Sequence, residues 1–268
     1  MSKDNCNIND DLVSVIMPCY NSRFIAESID SVLKQTYSNL ELLITDDHSS
    51  DQEVVSLLEE YSKEDDRVRV FFLAENKGPG FARNNCIKEA RGRYIAFCDS
   101  DDIWSPDKLQ KQIAFMKSRS CCLSYGSYFV CDEINRQKGI VVAPPVISLR
   151  GLKHDNKIGC LTAVYDSSMY GKFYMPELKK RQDWALFLTI LKKCGKAYGI
   201  DEPLASYRKT RSGISHNKFG LVKYNAKVYQ DVFGYSKAKS YLYLCFVFMP
   251  AYATKRVANC ISRFIYSK

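Results

Sequence analysis

The 268-residue sequence has no uninterrupted apolar stretch of about 18 residues, the length that a helix needs to span a bilayer. Its first apolar run, residues 12–17, is short and follows two aspartates, whereas a signal peptide has basic residues followed by a longer apolar run. We therefore expect a protein that stays in the cytoplasm. With 46% hydrophobic and 26% charged residues, the composition is that of a globular chain and argues against disorder and collagen-like repeats.

The cysteines lack the spacing of disulfide scaffolds and zinc sites. There are eleven of them, no two are spaced as Cys-x-x-Cys, and several lie in apolar runs, as Cys98 does. We expect reduced thiols that pack as small hydrophobic side chains. A structural zinc site is disfavoured for the same reason.

Two glycine-rich phosphate-binding motifs are also missing. The first strand-to-helix turn reads Pro18-Cys-Tyr-Asn-Ser-Arg23, without the Gly-x-Gly-x-x-Gly of a dinucleotide-binding turn. No Walker phosphate loop is present. A nicotinamide-dependent dehydrogenase and a P-loop kinase are therefore disfavoured.

Positive charge is concentrated in the last quarter of the chain. Residues 203–268 contain twelve lysines and arginines but only one acid, Asp231, whereas residues 1–202 contain 27 basic and 29 acidic residues. A nearly neutral body joined to a basic tail indicates an anionic partner for the tail alone.

Apolar runs alternate with helical periodicity in the first hundred residues. Continuous apolar strands with intervening helices predict an α/β fold, with a mixed, mostly parallel central sheet and helices on both faces. The predicted strands are residues 12–17, 40–45, 68–73 and 93–98, and the predicted helices are 23–35, 53–61 and 81–91.

The pattern is looser after residue 102. Pro106 stands where the first position of a helix is expected, and that helix should run to about residue 117. Further strands are expected at 121–131 and 158–165, then an amphipathic helix at 181–194, and two short strands in 196–207 interrupted at Asp201-Glu-Pro203. We assign a catalytic domain to residues 1–215 and a helical tail to 216–268.

Polar clusters follow three of the predicted strands, at residues 18–22, 46–51 and 99–102. In parallel α/β sheets, ligands bind beyond the carboxyl ends of the strands. We therefore expect the three clusters to converge on one crevice.

The segment Asp99-Ser-Asp-Asp102 has three carboxylates in four residues. They repel one another unless a cation lies among them, and Mg²⁺ or Mn²⁺ takes oxygen ligands that bridge protein carboxylates to phosphates. The alternative is a solvated acidic turn in which Asp102 or Ser105 caps the next helix.

Three further side chains each allow two interpretations. A carboxylate of Asp46-Asp47 either accepts hydrogen bonds from a nucleobase or ribose or caps a helix. Tyr20 either stacks on a planar ring or packs on the sheet. Arg83 follows a Gly-Pro-Gly turn and either reaches a diphosphate or is an ordinary surface arginine.

Several ordered segments resemble family 2 glycosyltransferases of the bacterial polysaccharide and O-antigen type. The likeness covers about residues 12–215, and His48 departs from it, because the family more often has glycine there. The segments are residues 13–21, 28–37, 40–51, 76–84 and 97–109, followed by Arg181-Gln-Asp-Trp184, which resembles a later acidic motif of the family.

This resemblance implies a GT-A fold, a nucleotide-sugar donor that is usually a UDP-sugar, Mn²⁺ or Mg²⁺ as the cofactor, and inversion at the anomeric carbon. Carried over by position, the resemblance implies that Pro18, Tyr20 and Asn21 lie at the nucleobase and that Asp47 binds the uracil. It places Arg83 near the base or diphosphate, and Asp99 and Ser100 at the donor, with Asp99 facing the ribose or the metal. Asp101 would be the metal ligand and Asp183 the general base. Some family members place a histidine near His216 as a further metal ligand; the alternative is a surface-loop histidine.

The tail contains fifteen consecutive uncharged residues, 240–254, between Lys237 and Lys239 on one side and Lys255 and Arg256 on the other. The run is too short to cross a bilayer, and its aromatic residues and basic flanks fit a segment lying at an anionic membrane surface. A core helix and a subunit contact, as in a homodimer, are the alternatives. Nucleic acid is a poorly supported partner, because the charge surrounds an apolar run and not a groove.

These observations favour an inverting glycosyltransferase that is peripheral on the inner face of the cell membrane and acts on a lipid-linked glycan of O-antigen or capsule synthesis. A nucleotidyltransferase, which would release pyrophosphate in place of UDP, is the enzymatic alternative. A non-catalytic nucleotide-sugar- or glycan-binding module is the other alternative.

Overall fold

The structure, a computed structural model, describes residues 9–210 and 221–250. Its first half alternates strands and helices: β1 (Asn9–Cys19), α1 (Ile25–Leu33), β2 (Leu40–Asp46), α2 (Gln52–Glu64), β3 (Val68–Phe72), α3 (Pro79–Glu89), β4 (Gly92–Phe97), β5 (Ile103–Trp104) and α4 (Lys108–Arg119). The second half contains β6 (Leu123–Cys131), β7 (Gln137–Val141), β8 (Val146–Ser148), α5 (Leu149–His154), β9 (Val164–Asp166), α6 (Ser167–Tyr170), α7 (Gln182–Cys194), β10 (Lys196–Arg208), α8 (Leu221–Phe233) and α9 (Lys237–Tyr243).

One mixed sheet organises these elements, in the strand order β3-β2-β1-β4-β9-β6-β10-β5, with β7 beside β6 and β8 beside β10. Strands β1 to β4 are mutually parallel where they pair, and β10 is parallel to β6. Strand β9 is antiparallel to both of its neighbours. The predicted α/β fold with a mixed, mostly parallel sheet is confirmed.

Register brings the carboxyl ends of β1 and β2 to the same edge, since Pro18 pairs with Thr45 and Cys19 with Asp46. Every residue of β2 is buried, as the continuous apolar run predicts for a strand covered on both faces. The loops that follow β1 and β2 therefore emerge side by side.

Three local predictions were wrong. Helix α4 begins at Lys108, not at Pro106, because Ser105 N–H donates to Leu204 O and Pro106 O accepts from Thr36 N–H, which ties this segment to its neighbours. Residues 196–207 belong to one strand whose register shifts between Ile200 and Ala205. The segment expected as a strand at 158–165 instead forms a 3₁₀ turn, Cys160–Thr162, before β9.

The part of the tail that the structure describes packs on the catalytic body. The rings of Tyr229 and Phe248 lie 5.6 and 5.8 Å from the ring of Trp184 on α7, and all three side chains belong to one buried cluster. The expected boundary at 215/216 falls between the described ranges. None of the helices in those ranges combines the length and apolarity needed to cross a bilayer.

All nine cysteines in the described ranges are free thiols, as expected. Most are buried, and burial is the main cause that raises the pKa of Cys19 and of Cys86 to about 12. Such thiols stay protonated near neutral pH and pack as small apolar groups.

Candidate active site

The first loop of the site follows β1 and is held by Asn21, whose φ of 46° lies in the left-handed region that asparagine tolerates. Its backbone N–H donates to Ser49 Oγ at 2.8 Å, and its Oδ1 accepts from Asp51 N–H at 3.0 Å. Pro18 is buried beneath this loop, whereas Tyr20 is 53% exposed. The ring of Tyr20 is therefore available to stack on a ligand.

The second loop follows β2. His48, which stands where the family more often has glycine, has a φ of 65°. This left-handed conformation explains the preference for glycine, which adopts it without steric cost. Asp46 accepts from Ser49 N–H at 2.9 Å and closes the loop locally.

Asp47 joins this loop to the turn before α3. Its two carboxylate oxygens accept from the backbone N–H groups of Lys77 and Gly78, each at 2.7 Å. The side chain is almost fully buried. Asp47 therefore orders the Asn-Lys-Gly-Pro-Gly turn, and its oxygens keep further lone pairs for a ligand.

Arg83, on α3, is a buried cation and not a surface arginine. Its guanidinium forms an ion pair with Asp99, while its Nε is buried and has no hydrogen-bond partner among the residues that the structure describes. Burial opposes the charged form, but Asp99, Cys160 and Asp183 raise the pKa of Arg83 above its ordinary value. Arg83 thus places a permanent positive charge within reach of both Asp99 and Asp183.

The acidic turn after β4 contains carboxylates in different environments. Burial, followed by the charge of Asp99, raises the pKa of Asp101 to about 6. Burial and both neighbouring carboxylates raise the pKa of Asp102 well above its ordinary value, and its Oδ1 accepts from Arg208 N–H at 3.2 Å. The alternative interpretation, in which Asp102 or Ser105 caps the next helix, is not observed, since Asp107 occupies the N-cap of α4.

Arg208, at the end of β10, binds the backbone of the acidic turn. Its side chain is 1% exposed, donates from Nε to Asp101 O at 3.0 Å, and pairs with Glu27 at 2.8 Å. Sequence reasoning missed this residue. The available signal was an arginine that ends an otherwise uncharged run, residues 203–208, at the carboxyl end of the strand.

Asp183 reaches the same site from α7. It lies in the first turn of the helix, where a carboxylate is favoured by the helix dipole, and its Oδ2 accepts from Asn156 Nδ2 at 3.1 Å. The preceding Gln182 packs against Gly80 of α3, where a Cβ would approach Gln182 Nε2 to 2.6 Å. Contact between α3 and α7 therefore brings Asp183 towards Arg83.

The structure brings together most of the residues singled out in the sequence. Arg83, Asp99 and Asp183 interact electrostatically, and Asp101 follows on the same turn. Ser100 contributes its carbonyl, which accepts from Ser22 Oγ at 2.7 Å and joins the acidic turn to the first loop. His216 lies outside the described residues.

The donor set suits a hard divalent cation. Within residues 9–210 and 221–250, no three His, Cys, Asp or Glu side chains are arranged to hold a metal ion by themselves. Asp99 and Asp101 are nevertheless near enough to interact, since burial and then the charge of Asp99 raise the pKa of Asp101. Two carboxylates fit Mg²⁺ or Mn²⁺, which usually keep several waters or substrate phosphates as further ligands.

Lys108 lies behind this site and is fully buried. Its Nζ lies 3.9 Å from the centre of the Trp104 ring and donates to Gln112 Oε1 at 3.0 Å. Burial lowers the pKa of Lys108 from 10.5 to about 7. Between about pH 7 and pH 10.5, Lys108 is protonated in the unfolded chain and neutral in the folded protein. The free energy of unfolding therefore rises with pH across this range.

We expect Lys108→Met to remove that dependence. From about pH 7 to about pH 10, the unfolding free energy of the wild type should rise by about 3 kcal/mol relative to that of the variant. Buried tyrosines, and buried thiols other than Cys98, whose pKa depends on Lys108, affect both proteins alike and cancel in the difference. Urea unfolding across this range measures it, with the exposed Lys193→Met as control, and a constant difference would contradict the prediction.

Known proteins share the sequence pattern and the fold of this chain. The sequence pattern of "Glycosyl transferase family 2" matches residues 14–175. TuaG of Bacillus subtilis (strain 168), provisionally named a teichuronic acid biosynthesis glycosyltransferase, is 40% identical over 223 residues, covering 82% of this chain and 88% of TuaG. WfgD of Escherichia coli, a UDP-Glc:alpha-D-GlcNAc-diphosphoundecaprenol beta-1,3-glucosyltransferase, is 40% identical over 242 residues, covering 90% of this chain and 94% of WfgD.

A solved structure shares the fold. The crystal structure of S. aureus TarS 1–349 in complex with UDP superposes with a TM-score of 0.66 at 21% identity, covering 87% of this chain and 72% of TarS 1–349. The expected GT-A fold is thereby confirmed. With the family pattern matching more than half of its residues, the chain belongs to glycosyl transferase family 2 and is a glycosyltransferase.

Proposed function

We propose that this glycosyltransferase moves a sugar from a UDP-sugar to a hydroxyl of a lipid-linked glycan in bacterial polysaccharide synthesis, with inversion at the anomeric carbon. One observation carries the proposal: Asp183, from a distant part of the chain, acts on the buried Arg83–Asp99 pair at the carboxyl edge of the sheet. Two relatives support this choice of substrates. The name of WfgD includes UDP-Glc and a diphosphoundecaprenol-linked sugar, and the TarS structure was solved in complex with UDP.

On the donor side, Tyr20 stacks on the uracil above Pro18, and Asn21 and Asp47 order the loops around it. The free lone pairs of Asp47 accept from the uracil ring. Arg83 directs its positive charge at the diphosphate, where a buried guanidinium binds phosphate oxygens strongly. Asp99 and Ser100 hold the ribose side of the donor.

Asp99 and Asp101 are the residues that would hold a divalent cation, Mn²⁺ or Mg²⁺. When bound, the cation offsets the negative charge that grows on the departing UDP. Arg208 fixes the backbone of Asp101, so the carboxylate pair is held in place before the donor arrives.

On the acceptor side, Asp183 acts as the general base. It takes the proton from the acceptor hydroxyl while that oxygen attacks the anomeric carbon, and the bond from that carbon to the UDP oxygen breaks with its electron pair leaving on UDP. Asn156 donates to one carboxylate oxygen and so orients the other towards the acceptor. His216 would be a further metal ligand.

Product analysis tests this function. The protein is incubated with a panel of UDP-sugars, Mn²⁺ and a lipid-linked sugar diphosphate, and the products are separated. We expect UDP together with a glycoside of inverted anomeric configuration. In a parallel incubation with UTP and sugar 1-phosphates, release of pyrophosphate would indicate a nucleotidyltransferase. Protection from heat by UDP-sugars without any turnover would indicate a binding module.

The tail adds a membrane-surface role to this proposal, with the protein peripheral on the cytoplasmic face. Leu242, Phe246 and Met249 follow helical spacing and are 58%, 75% and 49% exposed, which is unusual for large apolar side chains on one face. Lys237 and Lys239 precede them and are exposed. A second copy of the chain is the other candidate for this face.

We expect Leu242→Ser combined with Phe246→Ser to lower binding to vesicles that contain anionic lipid at least about 10-fold. Full burial of a leucine or phenylalanine side chain contributes about 1.5–3 kcal/mol of favourable free energy, which the two serines would not supply. Sedimentation with vesicles measures this. Val142→Ser, at another exposed apolar position, is the control. Unchanged binding, or a loss of dimers without a change in vesicle binding, would contradict the membrane role.

A further inference from the structure

A cavity with a volume of about 470 Å³ lies outside the donor site, between α5 and the C-terminal helices. Arg150, Lys153 and His154 of α5 line one side of it. Phe233, Tyr243 and Val247 line the other. The cavity therefore combines three basic groups with an apolar wall.

No acidic side chain among those that the structure describes forms an ion pair with the basic side of this cavity. Within residues 9–210 and 221–250, none of the ion pairs involves Arg150, Lys153 or His154. Burial, followed by the charges of Arg150, Lys153 and Lys157, lowers the pKa of His154. An uncompensated positive field of this kind favours an anionic ligand.

Lys153 is held in a fixed position. Its Nζ donates to Tyr235 Oη at 2.6 Å and lies 4.4 to 4.7 Å from the ring centres of Phe233, Tyr235 and Tyr243. An ammonium group keeps further N–H donors when one is used. The cation is thus positioned in advance, which lowers the entropic cost of binding an anion.

An apolar surface borders the cavity. Val247 lines it, and the adjacent Phe246 belongs to the exposed face formed with Leu242 and Met249. A ligand with an anionic head in the cavity could therefore lay an apolar chain along that face. Free phosphate or a soluble nucleotide would contact the basic side of the cavity but would leave the apolar face unoccupied.

The cavity is tied to the acceptor side of the active site. Trp184 Nε1 donates to Leu152 O of α5 at 2.8 Å, and Asn156 Nδ2 donates to Asp183. Since Asn156 follows His154 by two residues, their Cα atoms are at most about 7 Å apart. The basic cluster and the proposed general base therefore share one short segment.

We infer that this cavity binds the diphosphate of the lipid-linked acceptor, with the lipid chain on the face of Leu242, Phe246 and Met249. The inference rests on the proposed function, because it assigns the acceptor of the same reaction. Arg150, exposed at the rim, contacts the diphosphate from the solvent side, and Lys153 contacts it from within. The sugar of the acceptor then extends towards Asp183.

Calorimetric binding of farnesyl diphosphate, a short prenyl diphosphate, to the full-length protein tests this site without requiring turnover. We expect Arg150→Gln to weaken binding about 10-fold, as for loss of one charge-assisted hydrogen bond, and Arg150→Lys to restore most of it. The exposed Lys193→Gln is the matched control and should bind like the wild type. UDP affinity should be unchanged in all three variants.

The competing outcomes are distinct. No binding by the wild type, or equal losses in Arg150→Gln and Lys193→Gln, would overturn the site. Inorganic pyrophosphate binding as tightly as farnesyl diphosphate would overturn the lipid component. Binding of a short-chain phosphatidylglycerol, below the concentration at which it forms micelles, as tightly as farnesyl diphosphate would assign the cavity to bulk anionic lipid. Failure of the donor reaction with intact prenyl diphosphate binding would instead count against the proposed function.

Discussion

Turnover should fall at least about 100-fold when Asp183 is replaced by asparagine, since general-base catalysis typically contributes that much or more. The amide has the same shape, and its oxygen can still accept from Asn156, so the loop around it should keep its conformation. What is lost is the capacity to take a proton. UDP affinity should therefore stay close to that of the wild type.

Initial rates at saturating donor and acceptor, together with calorimetric binding of UDP, separate these effects. Glu177→Gln is the control, because Glu177 is an exposed acid in the segment before α7. Its turnover should not change. Wild-type turnover in Asp183→Asn would remove this residue from the role of base, and a loss of UDP binding would show that it supports Arg83 instead.

Chelation of divalent metal should have an effect of similar size. If Asp99 and Asp101 hold a divalent cation at the donor, its removal leaves only Arg83 to offset the charge of the departing UDP, a loss of several kcal/mol. Each 1.36 kcal/mol is tenfold in rate, so activity in excess EDTA should fall at least about 100-fold. Added Mn²⁺ or Mg²⁺ should restore it.

A variant connects this effect to the acidic turn. Asp101→Asn should require a higher Mn²⁺ concentration for half-maximal activity, because one charged oxygen ligand is replaced by a neutral one. Asp107→Asn, in the next loop, is the control, since Asp107 pairs with Lys111 at the surface. Full activity in excess EDTA would reject the metal role of Asp99 and Asp101.

The strands that carry the donor site were predictable from local patterns. Continuous apolar runs gave β2 and β4, because a strand covered on both faces excludes polar residues along most of its length. The polar residues that end these runs then marked the edge where Asp47 and Asp99 lie. Helix α2 was also readable from its apolar spacing after a polar turn, and Asp51 of that turn caps it by accepting from Glu53 N–H.

Elements in the second half were harder to predict. All five residues of β7 are exposed, so no apolar alternation marks the strand. The 3₁₀ turn Cys160–Thr162 replaced an expected strand because Thr162 N–H and Ala163 N–H bond locally to Gly159 O and Cys160 O. Whether such local hydrogen bonds form depends on the packing of neighbouring elements, and strand propensity does not include that packing.

By itself, the sequence determined the order of strands and helices, the polar segments at the carboxyl ends of the parallel strands, and the family. Periodicity and motifs depend on residues that are close together along the chain, so they can be recognised in the sequence alone. Only the tertiary structure decided that Arg83 is buried between Asp99 and Asp183, that Arg208 supports the acidic turn, and that the tail packs on Trp184 beside a basic cavity. These contacts join residues far apart along the chain, and burial sets their charges and pKa values, so they exist only once the chain is folded.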